Sequence, residues 1–274
     1  MTPRIWLITG ASRGFGRIWA EAALDRGDRV VATARDPRAL DRLVEIYDDL
    51  VLPLRLDITD RQAVDAAFAS AVDHFGKLDV VVNNAGGGLL GTVEEVSEEA
   101  VRDLLETNFF GALWVTKAAI PLLRRQGSGH LLQVSSVGGV QAFYGAGVYN
   151  ATKWAMEAIS QSLAMEVSPF GVKVTLVEPG GYSTGWFSSA TQAEPMSEYE
   201  AGRAAHADNP VITRPGDPEA TGPAILELVD AEDPPLRAFF GDWVLPMIRA
   251  EYEGRLASWD QWDGLAARAQ GTVE

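Results

Sequence analysis

Short apolar runs alternate with amphipathic stretches from the first residues of this chain. Ile5 to Ile8 is an unbroken apolar run, Asp28 to Ala34 centres on Val30, Val31 and Ala32, and Leu78 to Val82 is continuous and rich in β-branched residues. Runs this short, without polar alternation, predict strands buried on both faces. Val51 to Leu56, Leu131 to Val134 and Val172 to Val177 read the same way, and Leu236 to Phe240 reads as a last strand. Helical patterns fill the gaps: from the glycine-rich turn after Ile8 to about Arg26, from Pro37 to about Tyr47, and from Asp60 to Phe75. They continue from about Ser97 to Arg125, from near Val148 to about Val167, and from Asp217 to Val229. Asp36 before Pro37 reads as an N-cap followed by proline at the first helical position, and Asp60 reads as a second cap.

This alternation predicts an α/β fold, a single Rossmann-like doubly wound parallel sheet of about seven strands joined by right-handed crossovers and flanked by helices. From Gly185 to Pro210 the pattern loosens into Ser, Ala, Gly and Glu. Trp243 to Gln270 is amphipathic and predicts a helical C-terminal extension. No linker-like boundary or internal repeat is present, so one domain is expected over residues 1–274, with a core of about 4–240 and an extension at 241–274.

An open parallel sheet places the carboxyl ends of its strands on one edge, where ligands bind. Gly10, Arg35, Asp57, Asn84, Ser136 and Gly180 each follow a predicted strand end, so all six are expected to converge. Composition narrows the chemistry. The chain has no cysteine, which removes disulfides, thiolate ligands and thiol catalysis. Its histidines, His74, His130 and His206, show no ligand spacing, so no metal site is expected. A formal charge of −15 argues against nucleic acid or an anionic membrane as partner. The opening Met-Thr-Pro-Arg leads directly into a strand without a signal-peptide pattern, and no apolar run is long enough to span a bilayer; a cytoplasmic protein is expected.

Two motifs carry the chemistry. Thr9-Gly-Ala-Ser-Arg-Gly-Phe-Gly16 sits between a strand and a helix, the arrangement that brings a pyrophosphate to a helix N-terminus. Tyr149 and Lys153 are four apart, one turn of a helix. An ammonium beside a phenol favours the phenolate, which would lower the tyrosine pKa and suit it to proton exchange with a carbonyl or alcohol oxygen. On its own, Tyr-x-x-x-Lys is common on amphipathic helices, where it usually means a core ring and a solvated amine. Ser136, just after a strand, could hydrogen-bond the same oxygen.

With these residues in hand, the chain resembles the classical short-chain dehydrogenase/reductase family over about residues 4–240. Thr9 to Gly16 matches its T-G-x-x-x-G-x-G, Asn83 to Gly86 its N-N-A-G, and Asn108, Ser136, Tyr149 and Lys153 its catalytic tetrad. Pro179, Gly180 and Thr184 match the segment against the nicotinamide. The resemblance implies Tyr149 as general acid or base, Ser136 polarising the substrate oxygen, and Lys153 lowering the Tyr149 pKa and holding the ribose. Asn108 would kink its helix and position a water. Gly10, Gly14 and Gly16, with Ser12, Arg13 and Phe15 in the same turn, would form the pyrophosphate site. Asp57 and Ile58 would meet the adenine, Asn84, Ala85 and Gly86 the ribose, and Thr184 the carboxamide. The segment Ser136-Val-Gly-Gly139 also looks like the steroid- and retinol-active branch.

The leading expectation is an NAD(P)-dependent oxidoreductase of the CH–OH/C=O type. Arg35 and Arg13 are expected to favour NADP(H) over NAD(H) by gripping the 2′-phosphate, with Asp36 committed to its cap. A small-molecule ketone or secondary alcohol on a bulky apolar skeleton would be walled by Leu89, Leu90, Phe143, Tyr144, Trp186 and Phe187. Gly185 to about Pro210 would form a mobile lid. Ala151, Ala155, Ala158 and Ser162 make a small-residue stripe, packed on the sheet or on a second subunit, and a homodimer or homotetramer is expected. Two other readings stand beside this one. One is an NADPH-binding regulator without turnover. The other is a serine hydrolase using Ser12 in Gly10-Ala-Ser-Arg-Gly14, with His206 as its histidine.

Overall fold

The computed structural model describes residues 3–271. In chain order its strands are β1 (Ile5–Ile8), β2 (Arg29–Ala34), β3 (Val51–Arg55), β4 (Val80–Asn83), β5 (Leu89–Leu90), β6 (Gly129–Val134), β7 (Val172–Pro179), β8 (Thr191–Gln192) and β9 (Arg237–Phe240). Seven of them form one sheet in the order β3-β2-β1-β4-β6-β7-β9, every pairing parallel. The winding therefore reverses between β1 and β4, the position where such sheets open a crevice for ligands. β5 and β8 pair only with each other, in a separate two-stranded parallel sheet.

The helices are α1 (Gly14–Asp25), α2 (Asp41–Tyr47), α3 (Arg61–Phe75), α4 (Glu98–Leu105), α5 (Ala112–Gln126), α6 (Gly147–Val167), α7 (Trp186–Ser189), α8 (Glu200–Ala205), α9 (Pro210–Thr213), α10 (Thr221–Asp230) and α11 (Val244–Gln270). Asp60 caps α3 by accepting from the N–H groups of Gln62 and Ala63, and Asp36 caps the 3-10 turn Pro37–Leu40 that leads into α2.

Strand alternation divides the core. Trp6 and Ile8 of β1 point to a layer with α1 and α10, while Ile5 and Leu7 point to the opposite layer with α3, α5 and α6. Trp6 and Trp19 are fully buried, and each indole N–H has a partner: Asp28 Oδ2 at 2.8 Å and Thr221 Oγ1 at 2.9 Å. Truncating either to alanine would cost about 3–5 kcal/mol, through the cavity and the stranded polar partner.

One segment carries the break expected at Asn108, and another differs from the sequence expectation. The long helix over 97–125 is interrupted by a π-helical turn at Glu106–Gly111 that contains Asn108, which widens the backbone there and re-aims the side chain. The segment after Gly185 is not loose: it holds α7, β8, α8 and α9, and β8 is tied to β5 by Thr191 N–H to Gly88 O (2.9 Å) and Ala193 N–H to Leu90 O (2.8 Å). Those partners lie some hundred residues away, out of reach of any local pattern. The extension also behaves in two parts. Trp243, Val244 and Ile248 are buried against Val137 and Val140, whereas Tyr252, Leu256, Trp259 and Trp262 are exposed. No helix among the described residues is long and apolar enough to cross a membrane.

Candidate active site

A cavity of about 1310 Å³ opens along the carboxyl edge of the sheet. Its inner end is built by two turns fastened together at the point where the winding reverses. Thr9 Oγ1 accepts from the N–H groups of Asn84 and Ala85, each at 3.0 Å, and Asn84 Nδ2 donates to Thr9 O at 2.8 Å and Gly10 O at 3.1 Å. Asn84 is thus a clamp between the turns. Gly10 and Gly14 hold φ of 68° and 55°, left-handed values that side chains disfavour. A Cβ on Gly10 would lie 3.1 Å from Ala85 Cα, and one on Gly14 would face the Thr184 side chain at 3.5 Å.

Ser12, Arg13 and Phe15 line the cavity, but Gly16 does not. Gly16 is buried, and a Cβ there would sit 2.4 Å from both Asn84 Nδ2 and Gly10 O, so its role is to let α1 pack on the turn. Phe15 also stacks on Trp19 with ring centroids 5.3 Å apart. Beyond the turn, Arg35, Asp57 and Ile58 form the outer rim. Arg13 and Arg35 are exposed, and neither forms an ion pair among the described residues. Asp36 is engaged with Arg38 at 2.8 Å, whose hydrogen bonds hold its carboxyl below the ordinary range. Asp57 Oδ1 accepts from both the N–H and the hydroxyl of Thr59, at 3.0 and 2.8 Å.

At the centre, Ser136, Tyr149 and Lys153 open on the same cavity, together with Ala85, Gly86, Pro179, Gly180 and Thr184. Ser136, two residues beyond β6, caps the 3-10 turn Val137–Gly139 by accepting the Gly138 N–H at 3.0 Å. α6 turns one face inward, burying Asn150, Lys153, Met156, Glu157 and Ser160; of the small-residue stripe, Ala151, Ala158 and Ser162 are exposed and Ala155 is half-buried.

The tyrosine's proton affinity runs opposite to the expectation from spacing. Burial pushes the Tyr149 phenol up to about 12, with the Ser136 hydroxyl acting the other way. The Lys153 Nζ donates to Val134 O at 2.8 Å and lies 5.9 Å from the Tyr149 ring centre. Burial also brings Lys153 down to about 8, against the opposing pull of Glu157. A turn of helix places two groups side by side, but desolvation outweighs a charge that is already hydrogen-bonded elsewhere.

Asn108 does not line the cavity. Its Oδ1 accepts the Gly87 N–H at 2.8 Å, and its Nδ2 donates to Gly87 O at 3.0 Å and Thr152 Oγ1 at 3.1 Å. With both ends of the amide engaged, the side chain ties the N-N-A-G turn to α6.

The outer end is apolar with polar fastenings. Leu90, Phe143, Tyr144, Trp186 and Phe187 line it. Leu89 does not: it is 2% exposed and packed inside, because successive strand residues face opposite ways. Trp186 lies against Gly88, where a Cβ would come within 2.4 Å of the indole. Thr92, Gln192, Arg203 and Tyr182 also line the cavity, and sequence reading did not find them; His206, named in the sequence only for the hydrolase reading, lines it too. Arg203 meets Glu95 at 2.6 Å, and Glu95 also accepts the N–H groups of Thr92 and Met196 at 2.7 and 2.8 Å. These bonds, the backbone ones foremost, hold the Glu95 carboxyl at about 2. His206 stacks on Tyr144, centroids 4.7 Å apart, and its Nδ1 meets Gly202 O at 2.9 Å. No hydrogen bond among the described residues joins Ser12 to a histidine, so the hydrolase arrangement is not assembled.

Comparison with known proteins agrees with this geometry. The short chain dehydrogenase family model matches residues 4–195. The Oxidoreductase BOA17 of Botryotinia fuckeliana is 39% identical over 270 residues, covering 96% of this chain and 98% of its own length. A 3-ketodihydrosphingosine reductase of Bacteroides thetaiotaomicron is 36% identical over 253 residues, covering 89% and 90%. The crystal structure of a short-chain dehydrogenase from Streptomyces avermitilis superposes with a TM-score of 0.91 at 38% identity, covering 98% of each chain.

Proposed function

The chain belongs to the short-chain dehydrogenase family, enzymes acting on CH–OH or C=O groups with NAD(P), and from that premise we propose that it is an NADPH-dependent ketone reductase for bulky, largely apolar substrates. One observation carries the reading: Ser136, Tyr149 and Lys153 open on the same cavity as the Gly10–Gly14 turn, with an apolar outer end beyond them. The turn fits a pyrophosphate, because Gly10 and Gly14 leave open backbone where side chains would intrude. Arg13 and Arg35, unpaired and on the rim, fit a 2′-phosphate, and Asp36 is neutralised by Arg38.

When bound, the nicotinamide supplies the hydride. The chain's own residues supply a proton and an orientation. Ser136 presents its hydroxyl to the substrate oxygen. Tyr149 donates the proton; a phenol held at about 12 is fully protonated at neutral pH, which suits reduction better than oxidation. Lys153, as an ammonium, holds the ribose side of the site and restores charge balance as the phenol gives up its proton. Trp186, Phe187, Phe143 and Tyr144 exclude water and favour an apolar skeleton. The ketone named in the Bacteroides relative is of the class this pocket suits. The exposed face of α6 at Ala151, Ala158 and Ser162 suits close approach of a second subunit, so we read the enzyme as at least a dimer.

The test is oxidation of NADPH, followed by absorbance, against ketones graded in bulk. Turnover with NADPH, little with NADH, and loss of turnover in Tyr149→Phe are expected. A Tyr149→Phe variant as active as the wild type would overturn the reading.

A further inference from the structure

Behind Lys153, away from the cavity, two carboxyl groups are buried against each other. Glu157 lies one turn beyond Lys153 on α6 and is 5% exposed; Glu178, near the end of β7, is 0% exposed. Arg237 of β9 spans them: its Nε donates to Glu157 Oε2 at 2.9 Å and lies 3.4 Å from Glu178 Oε1. The same guanidinium donates to Gln161 Oε1 at 3.0 Å. Written as two carboxylates, this cluster leaves Glu157 Oε1 and both Glu178 oxygens without any hydrogen-bond donor. Like charges facing each other away from water cannot both persist. A single proton resolves the conflict, because a carboxylic acid can donate to the carboxylate beside it. Glu178 is the more deeply buried and the one less engaged by Arg237, so the proton belongs there. Burial and the Glu157 charge push it up to about 9.

We propose that Glu157 and Glu178 share one proton, with Glu178 the neutral acid and Glu157 the carboxylate, and that Glu157 is a positioning residue whose charge keeps Lys153 an ammonium. This rests on the reading of Tyr149 and Lys153 given above. The geometry makes Glu157 the anion one turn from Lys153 on the inward face of α6. The other ionisable groups on this side are Tyr149 on α6, Glu178 on β7 and Arg237 on β9, and Asp103 and Glu106 line the cavity that Lys153 opens on. None of these is an anion on the buried side once Glu178 holds the proton. Glu157 raises the proton affinity of Lys153 against burial, and its loss lets burial act unopposed.

Two measurements on the full-length protein test the proposal. The first is infrared difference spectroscopy at neutral pH, comparing wild type with Glu178→Gln. A carbonyl band of a buried protonated carboxyl is expected in the wild type and absent from the variant; no such band in the wild type overturns the shared proton. The second is the pH profile of kcat/KM for ketone reduction. Glu157→Gln should move the alkaline limb down by about one pH unit, roughly a tenfold loss at a fixed alkaline pH, while Glu157→Asp, which keeps the charge, should restore it. A folded Glu157→Gln with the wild-type limb overturns the positioning role. If Glu157→Gln does not fold, Glu157→Asp decides: a limb displaced downward counts against the proposal, and a retained limb supports it. Failure of the reductase reading is distinct, because it shows as activity persisting in Tyr149→Phe, whereas the infrared band does not depend on turnover.

Discussion

The indole of Trp186 lies against the phenol ring of Tyr149, centroids 4.8 Å apart and planes inclined by 58°. The proposed proton donor and the proposed wall of the substrate pocket are therefore one packed unit. Trp186 also touches Phe187 and Gly88, so its position is set from three sides. Aromatic pairs of this kind contribute about 0.5–1.5 kcal/mol beyond burial. Trp186→Ala should raise KM for bulky ketones about three- to tenfold while changing it little for small ones. Steady-state kinetics across ketones of graded size checks this; a uniform change would show that the indole does not read bulk.

Tyr149→Phe should lower kcat by roughly 10²–10⁴-fold with NADPH affinity near the wild-type value, since only the donated proton is lost. Ser136→Ala should be severely impaired, and Ser12→Ala should keep appreciable activity. Because Tyr149 sits at about 12 and Lys153 at about 8, the rate of reduction should be level through neutral pH and fall above the Lys153 value as its ammonium is lost. A rate that instead rose through that range would argue that the phenolate is the working form.

Arg35 and Arg13 stand unpaired on the cavity rim, and Asp36 is taken by Arg38. Arg35→Ala should weaken NADPH by about 1.5–3 kcal/mol, which is ten- to a hundredfold, and leave NADH binding nearly unchanged. Fluorescence titration with the two cofactors measures the difference directly. Equal wild-type affinity for both would refute the preference.

The outer segment should open in acid. Glu95 lies at about 2 in the folded protein against an ordinary 4.5, so its contribution is fully present above that ordinary value and is lost as pH falls towards the lower one. Its partners Arg203 and Met196 would then be released together. Limited proteolysis between Gly185 and Pro210 should accelerate over that window, and Glu95→Gln should show the acid behaviour at neutral pH. Cleavage that did not respond to either change would place the fastening elsewhere.

Much of this was readable in the chain because its causes are local. Strand runs at Val80–Val82 and the Tyr149–Lys153 spacing rest on periods of a few residues, and the Asp60 and Asp36 caps rest on contacts two or three positions away. The convergence of strand ends also followed, because parallel connections with one handedness leave few alternatives. What remained hidden rests on long-range neighbours. Glu95 and Arg203 are 108 positions apart, and no periodicity couples them. Leu89 and Leu90 look alike in sequence, and only the pleat decides that one is core and the other pocket wall. The proton affinity of Tyr149 shows the division most sharply. Sequence alone determined that an ammonium would be one turn away. The tertiary structure decided that Lys153 bonds to Val134 O and that the phenol is desolvated, and desolvation is a property of everything packed around a group, not of its neighbours along the chain.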